Sequence, residues 1–209
     1  MRLTKYEHSC VLIEDGDARV LIDPGNFSSG FESLTGLSAV LITHQHPDHV
    51  DLERLPNLLA KNPDAQVYTD TGTAEVLAGA GIEATAVRAG DHLDLGVGVD
   101  VHGEQHAVIH PEIPIVPNVG YLVGGRFFHP GDSFTPPEVE IEILGMPTSA
   151  PWQKLSEAID FLRAVQPSTA VPIHEALLAR PQMYYGHFQR LGPDGMELRT
   201  VEPGDTVKL

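Results

Sequence analysis

Residues 41–51 read LITHQHPDHVD and join an apolar run to a dense cluster of histidine and aspartate. The cluster has the pattern His-x-His-x-Asp-His, formed by His44, His46, Asp48 and His49. At a strand end, His44 and His46 point the same way, and a turn at Pro47 redirects the next two side chains to a second point nearby. Imidazole nitrogen and carboxylate oxygen are donors that suit Zn²⁺. The segment therefore predicts a metal site rather than an exposed histidine-rich loop, and its density suggests two adjacent metals.

A centre with two metals needs more donors than this segment carries. Three further candidates each stand where a strand-like run gives way to a loop, namely His106, Asp132 and His174. The chain has one cysteine, Cys10, which excludes a site built from several cysteines. The sequence therefore predicts a centre of histidine and carboxylate ligands drawn from distant parts of the chain.

The composition is that of a foldable and strongly acidic chain. Its 209 residues include 13 Lys plus Arg and 29 Asp plus Glu, which gives a formal net charge of −16 at pH 7. No apolar run approaches the ~18 residues of a membrane span, and the start lacks the order of a signal peptide, so we expect a cytoplasmic protein without a membrane partner. Nucleic acid is disfavoured because the basic residues form no stripe. We expect a small-molecule partner, and the oligomeric state stays open.

Short runs rich in Val and Ile alternate with helical patterns. The strand-like runs are residues 11–13, 20–22, 39–42, 67–69, 121–123 and 170–173. The helical patterns cover residues 155–165, a segment after Asp51, and about residues 73–80. Turn signals predict hairpins at residues 14–17 and 124–125, and residues 192–209 read as a turn and a final strand pair. Without a linker or repeat, we expect one domain over residues 1–209, an α/β protein with helices covering sheet faces.

Several motifs together carry a family resemblance. They are the His-x-His-x-Asp-His pattern, Gly131-Asp132-Ser133, Pro172-Ile173-His174 and Leu21-Ile22-Asp23-Pro24. As a set they resemble the metallo-β-lactamase superfamily of metallohydrolases. The opening Tyr6-Glu7-His8-Ser9 is similar to that of the branch that includes ascorbate-6-phosphate lactonase. The resemblance implies a four-layer αββα sandwich with the metals at one edge of its two sheets.

The resemblance also implies a role for each candidate ligand. Carried over position by position, the first metal is held by His44, His46 and His106. The second metal is held by Asp48, His49 and His174, with Asp132 bridging the two. His102 and His110 lie close to His106 in the sequence, and either remains an alternative third ligand of the first metal.

Four other residues are weighed for a place near the metals. Asp23 is a candidate acceptor that fixes the tautomer of a ligand imidazole, although Asp before Pro also forms turns. The resemblance favours His8 as a contact to a substrate anion, against a strand-end histidine. Asn118 is a candidate to face the site, although Asn before a strand is typical of turns. Trp152 is expected in the core or at the surface.

The activity implied is that of a metal-dependent hydrolase. Two divalent ions, Zn²⁺ first and Mn or Fe as alternatives, lower the pKa of a shared water, and the zinc-bound hydroxide cleaves an ester-like bond. The bond is expected to be a lactone, ester or phosphodiester in a small polar metabolite. Asp48 is expected to act in catalysis by orienting this hydroxide. Two other functions stay open, a mononuclear iron oxygenase on the same fold and a non-catalytic metal-binding module.

Overall fold

The computed structural model describes residues 1–209, which form fourteen strands and four α-helices. The strands are β1 (Arg2–Lys5), β2 (Val11–Asp15), β3 (Ala18–Ile22), β4 (Ala39–Ile42), β5 (Gln66–Thr69), β6 (Thr85–Ala86), β7 (His92–Asp94), β8 (Gly98–His102), β9 (Gly120–Val123), β10 (Phe127–His129), β11 (Ile143–Pro147), β12 (Thr169–Ile173), β13 (Glu197–Leu198) and β14 (Thr206–Lys208). The helices are α1 (Leu55–Ala60), α2 (Thr71–Gly79), α3 (Leu155–Val165) and α4 (Gln182–Leu191). None of them combines the length and apolar character that crossing a bilayer requires.

The strands build two mixed sheets of seven strands each. The first sheet has the order β14-β1-β2-β3-β4-β5-β6, and the second has the order β13-β12-β11-β10-β9-β8-β7. The hairpins predicted at residues 14–17 and 124–125 are confirmed, because β2 pairs antiparallel with β3 and β9 pairs antiparallel with β10. Strands β3 to β6 are parallel neighbours, as are β10 to β13.

Three apolar clusters define the layers. The central cluster joins residues of both sheets, among them Leu41 and Tyr121, so the sheets pack face to face. A second cluster covers the outer face of the first sheet with α1, through Leu55, and with α2. The third covers the outer face of the second sheet with α3 and α4, through Leu162 and Phe188. The order helix, sheet, sheet, helix confirms the predicted four-layer αββα sandwich.

Local chemistry explains where the predicted helices begin and end. Helix α3 matches the predicted residues 155–165, and Gln166, with φ 54°, stops it in a left-handed conformation just before Pro167. Helix α2 begins at Thr71, earlier than predicted. The side chain of Asp70 caps it by accepting hydrogen bonds from the backbone N–H groups of Gly72 and Thr73.

The predicted final strand pair is wrong. Strand β13 joins the second sheet parallel to β12, whereas β14 joins the first sheet antiparallel to β1. The predicted turn at residues 193–195 lies between α4 and β13 rather than between two paired strands, and a turn signal does not specify which sheet edge a strand joins. The chain crosses from one sheet to the other between residues 198 and 206.

The fold gathers strand ends at one edge of the sandwich. His44 follows β4 of the first sheet, whereas Asp132 and His174 follow β10 and β12 of the second sheet. Two backbone hydrogen bonds tie the sheets at this edge, from Val119 N to the carbonyl of Thr43 at 2.9 Å and from His174 N to the carbonyl of His8 at 3.1 Å.

A buried hydroxyl links the two sheets beneath that edge. Tyr121 on β9 is fully buried, and its hydroxyl lies 3.0 Å from the carbonyl oxygen of Ile42 and 3.2 Å from that of Tyr68. Both acceptors belong to the first sheet, so the phenol donates from one sheet to the other.

Replacing Tyr121 with Phe keeps the ring and removes this donor. We expect the free energy of unfolding of the metal-free protein to fall by about 1–2 kcal/mol, because buried carbonyl oxygens lose a hydrogen bond. Urea unfolding measures the change. Tyr68→Phe is the matched control, since its hydroxyl donates to the exposed Gln66 side chain. A loss for Tyr121→Phe no larger than that for Tyr68→Phe would contradict the role of the buried hydroxyl.

Candidate metal centre

The predicted ligands meet at the sheet edge in two donor groups. The first donor group contains His44, His46, His106 and Asp132. The second donor group contains His8, Asp48, His49 and His174. Within each group, the candidate ligand atoms all lie within 4.8 Å of one another, which is the spacing that a single cation can span.

The first donor group is built from the end of β4 and two loops of the second sheet. His44 Nε2 and His46 Nδ1 lie 3.0 Å apart. His106 Nε2 lies 3.4 Å from Asp132 Oδ2. His44, His106 and Asp132 are buried, and His46 is partly exposed, so the group opens to solvent on the side of His46.

The second donor group converges on Asp48. The Oδ2 atom of Asp48 lies 3.1 Å from His8 Nε2, 3.4 Å from His174 Nε2 and 3.7 Å from His49 Nε2. The three imidazoles are buried, whereas the side chain of Asp48 is 21% exposed. Asp48 is therefore the carboxylate of this group that solvent or a small molecule can reach.

Asp132 lies between the two groups. Its Oδ1 atom is 3.1 Å from His49 Nε2 and 3.2 Å from His174 Nε2, and its Oδ2 atom faces His106. One oxygen thus points to each donor group. This is the geometry of a bridging carboxylate, the role that the resemblance gave to Asp132.

The imidazole rings are oriented by their outer nitrogens. His49 Nδ1 lies 2.7 Å from Asp23 Oδ2, His174 Nδ1 lies 2.7 Å from the carbonyl of Ser149, and His106 Nδ1 contacts the carbonyl of Ala107. Carboxylate and carbonyl oxygens only accept, so each Nδ1 carries a proton and each Nε2 faces inward, where it can bind a cation once it is deprotonated. Ligand histidines in metal sites are held in this way.

The inner nitrogens have no hydrogen-bond partner although they are buried. The unpartnered atoms are His49 Nε2, His106 Nε2, His174 Nε2 and Asp132 Oδ1. A nitrogen facing an anionic oxygen at 3.1–3.2 Å needs a positive charge between the two atoms, which a proton supplies without metal and a cation would supply with it. The donor atoms present therefore fit divalent cations, which would satisfy buried groups that the protein leaves unpaired.

Burial and nearby carboxylates together set the proton affinities of the site histidines. Burial opposes the charged form of His174 and His49. Asp132 together with Asp48 outweighs burial at His174 and raises the pKa of His174 to about 9. Asp132 together with Asp23 outweighs burial at His49 and raises the pKa of His49 well above its usual value. At His8, burial is the largest cause and, with the charges of His174 and His49, outweighs the contact with Asp48 and lowers the pKa to about 4. Burial opposes ionisation of Asp132, yet His49 and His174 hold its pKa well below the usual range. Cations entering the site compete with protons for the same atoms.

Asp23 is buried beneath the metal ligands and organises the end of β4. Its Oδ1 accepts a hydrogen bond from Thr43 N at 2.7 Å, and its Oδ2 accepts one from Thr43 Oγ1 at 2.8 Å besides that of His49. Asp23 has φ 52°, a left-handed conformation that costs free energy in a residue other than glycine. Asp23 thus contacts the imidazole of a candidate ligand, His49, and is not a turn residue alone.

Asn118 holds the loop that carries Asp132. Its Oδ1 accepts a hydrogen bond from Asp132 N at 2.9 Å, and its Nδ2 donates to the carbonyl of Pro130 at 3.0 Å. Gly131 is required between them, since a Cβ there would lie 2.3 Å from Asn118 Oδ1 and its φ is 61°. Asn118 is fully buried, so it supports the site from behind.

The turn at His174 is held by the N-terminal segment. His174 has φ 60°, and the buried Lys5 donates a hydrogen bond to the carbonyl of Pro172 at 2.8 Å. The same ammonium group forms an ion pair with Glu175. Residues on both sides of His174 are thereby tied to β1, which gives Glu175 a structural role that its position in the sequence did not reveal.

The open alternatives of the ligand assignment are separated by the fold. His106 lies in the first donor group, whereas His110 is exposed and accepts a hydrogen bond from Glu112 N. His102 lies at the end of β8 with its ring against Phe128 and belongs to neither group. His8, expected beside a substrate, belongs to the second donor group.

Sequence reasoning missed the contact that Trp152 makes. Its indole N–H donates a hydrogen bond to Asp132 Oδ2 at 2.6 Å, so the residue touches a metal-ligand candidate rather than serving the core alone. Thr43, whose hydroxyl bonds Asp23, was also not singled out. No pattern marks Trp152, although it is the single tryptophan of the chain.

Comparison with known proteins agrees with this architecture. The family described as beta-lactamase superfamily domain matches residues 2–174. The chain is 51% identical over 199 residues to Protein Rv0786c of Mycobacterium tuberculosis, covering 91% of this chain and 92% of that protein. It is 26% identical over 217 residues to a UPF0173 metal-dependent hydrolase of Aeropyrum pernix, covering 95% of this chain and 88% of that protein.

The fold is shared with a solved structure of low sequence identity. Igni18, described as a novel metallo hydrolase from the hyperthermophilic archaeon Ignicoccus hospitalis, superposes with a TM-score of 0.75 at 18% identity, covering 99% of this chain and 97% of that one. The family match spans most of the chain and includes every candidate ligand. The chain belongs to the metallo-β-lactamase superfamily, and UPF0173 metal-dependent hydrolases are among the proteins it is similar to.

Proposed function

We propose that this metal-dependent hydrolase binds two divalent cations, Zn²⁺ by preference, and cleaves an ester-like bond in a small polar metabolite. The observation that carries the proposal is the set of buried Nε2 atoms without partners in two adjacent donor groups. Histidine and carboxylate donors without thiolates suit Zn²⁺, with Mn²⁺ and Fe²⁺ as alternatives. Cys10, the one thiol, is buried and lies in the apolar cluster beneath the first sheet.

The proposed ligands follow the two donor groups. His44, His46 and His106 would hold the first cation, and Asp48, His49 and His174 would hold the second, with Asp132 available to both. The position of His8 beside Asp48 Oδ2 supports a role as a hydrogen-bond donor to that carboxylate. Two separate donor groups argue for a dinuclear hydrolase over the mononuclear iron oxygenase.

The protein residues divide the chemistry between them. When bound, a pair of such cations supplies Lewis acidity and lowers the pKa of a water molecule toward neutrality. Asp48, the partly exposed carboxylate, accepts a hydrogen bond from the attacking water and so orients it. His8 fixes the rotation of Asp48 through its Nε2 atom at 3.1 Å. No serine or cysteine nucleophile is needed.

The substrate class is inferred from the charge and from the N-terminal motif. A chain with a formal net charge of −16 disfavours nucleic acid as substrate. The segment from Tyr6 to Ser9, which resembles the lactonase branch, brings His8 to the second donor group. This placement supports a lactone or a related ester, with a phosphodiester as a further candidate bond.

Removal of the metal should abolish the activity. We expect chelator-stripped protein to lose turnover on a panel of lactones, esters and phosphodiesters, and we expect Zn²⁺ or Mn²⁺ to restore it. Metal analysis of the restored protein should find two cations per chain. Full turnover after complete metal removal would contradict the proposal, and two tightly held cations without turnover on any substrate would favour the non-catalytic module.

His106 and His110 allow a matched test of the ligand assignment. We expect His106→Ala to bind one Zn²⁺ fewer and to lose at least about 100-fold in activity, the upper range for removing outer partners of a metal ligand. His110→Ala should match the wild type in both respects, because its side chain is exposed. Metal stoichiometry and turnover measure both effects. The reverse pattern would mean that the loop after β8 presents His110 to the metal.

A further inference from the structure

The single tryptophan of the chain contacts the carboxylate between the two donor groups. Trp152 lies in the connection between β11 and α3, is 8% exposed, and donates its indole N–H to Asp132 Oδ2 at 2.6 Å. Indole has one polar atom, and burying it is favourable only when that atom finds an acceptor. The acceptor here is a group that the proposed function assigns to both metals.

The direction of the indole is fixed by packing. The Trp152 ring contacts Phe134 edge to face at a centroid distance of 4.8 Å, and Phe134 stacks on Phe161 of α3 at 5.0 Å. On the metal side, the indole lies 5.9 Å from the His106 ring. The N–H group is therefore held in place by the helix layer and is aimed at one oxygen of Asp132.

Other contacts hold the backbone of Asp132 but leave its carboxylate free to rotate. Its N–H donates to Asn118, and its carbonyl accepts from Ala107 N at 2.8 Å. The terminal torsion of an aspartate side chain is broad, so backbone contacts do not determine where the two oxygens point. Trp152 supplies the one hydrogen bond that the Asp132 carboxylate accepts from a side chain outside the two donor groups.

We propose that Trp152 is a positioning residue that fixes the carboxylate of Asp132 for metal binding and acts mainly on the first donor group. A carboxylate oxygen has two lone pairs, so Oδ2 can accept the indole N–H and bind a cation at once. The inference rests on the proposed binding of two cations. It assigns to Trp152 a part in metal affinity, not in contact with the substrate.

The loss of cation affinity should differ between the two donor groups, because only the second has a carboxylate besides Asp132. Asp132 is the only carboxylate of the first donor group, whose other members are the imidazoles of His44, His46 and His106. The second donor group has Asp48 as its own carboxylate. If the orientation of Asp132 is lost, the first group loses its only anionic donor, whereas the second keeps one.

The test titrates Zn²⁺ alone into chelator-stripped protein in the presence of a competing chelator. For Trp152→Phe we expect one of the two binding steps to weaken by about 10–100-fold, the range for partners of metal ligands, and the other to stay within about threefold. Phe161→Leu is the matched control, because it disturbs the aromatic packing one ring further away and leaves the indole donor and its Phe134 contact in place. It should leave both steps within about threefold of the wild type.

The outcomes separate the inference from the proposed function. Two unchanged steps in Trp152→Phe, or equal weakening of both, would overturn the role of Trp152 while leaving two-metal binding intact. Fewer than two Zn²⁺ bound by the wild type would instead contradict the proposed function.

A second measurement uses the wild-type protein, so it tests the inference even if Trp152→Phe fails to fold. The wild type has one indole N–H, so its nitrogen-proton NMR spectrum has one indole signal. We expect this signal to exchange slowly with water in stripped protein and to shift when Zn²⁺ is added. A freely exchanging indole signal that does not move at Zn²⁺ saturation would overturn the inference.

Discussion

The structure depends on one constraint: ligand-type nitrogen and oxygen atoms converge in a buried space without protein hydrogen-bond partners. His49 Nε2 and His174 Nε2 both point at Asp132 Oδ1, and their outer nitrogens are already committed to acceptors. Such an arrangement is unfavourable unless a positive charge is enclosed. The fold accepts it because surrounding contacts fix every member, from Asp23 below to Asn118 behind.

Backbone strain is concentrated around the same place. Of the five residues other than glycine with positive φ, four adjoin the site, namely Glu7, His8, Asp23 and His174. Left-handed conformations of this kind persist where surrounding structure determines them and are typical of functional sites. Here the hydrogen bond between His174 N and the carbonyl of His8 joins two of the strained residues directly. The strain lies in the turns that deliver ligands from different strands.

Most of the candidate ligands that the fold brings together were predictable, because each stands in a short sequence pattern at the end of a strand-like run. The segment from His44 to His49 places four donors within six residues, and Asp132 and His174 each follow a recognisable strand. The sequence could not choose among His102, His106 and His110, since that depends on how the loop after β8 returns to the edge. The partner of Trp152 was also hidden, because 20 residues separate it from Asp132 and no periodicity links them. The final strands were misassigned for the same reason: their partners lie at opposite ends of the chain and in different sheets.

The donor atoms come from both sheets, and this has a thermodynamic consequence for the polypeptide as a whole. An unfolded chain does not bring His44 near His174, so cation binding favours the folded state by mass action. Each tenfold rise in free cation above its dissociation constant adds about 1.4 kcal/mol to stability for each site. In a cell short of the cation, the same polypeptide would unfold and be degraded more readily. Metal supply would then set how much of the protein is present, as well as how much of it is active.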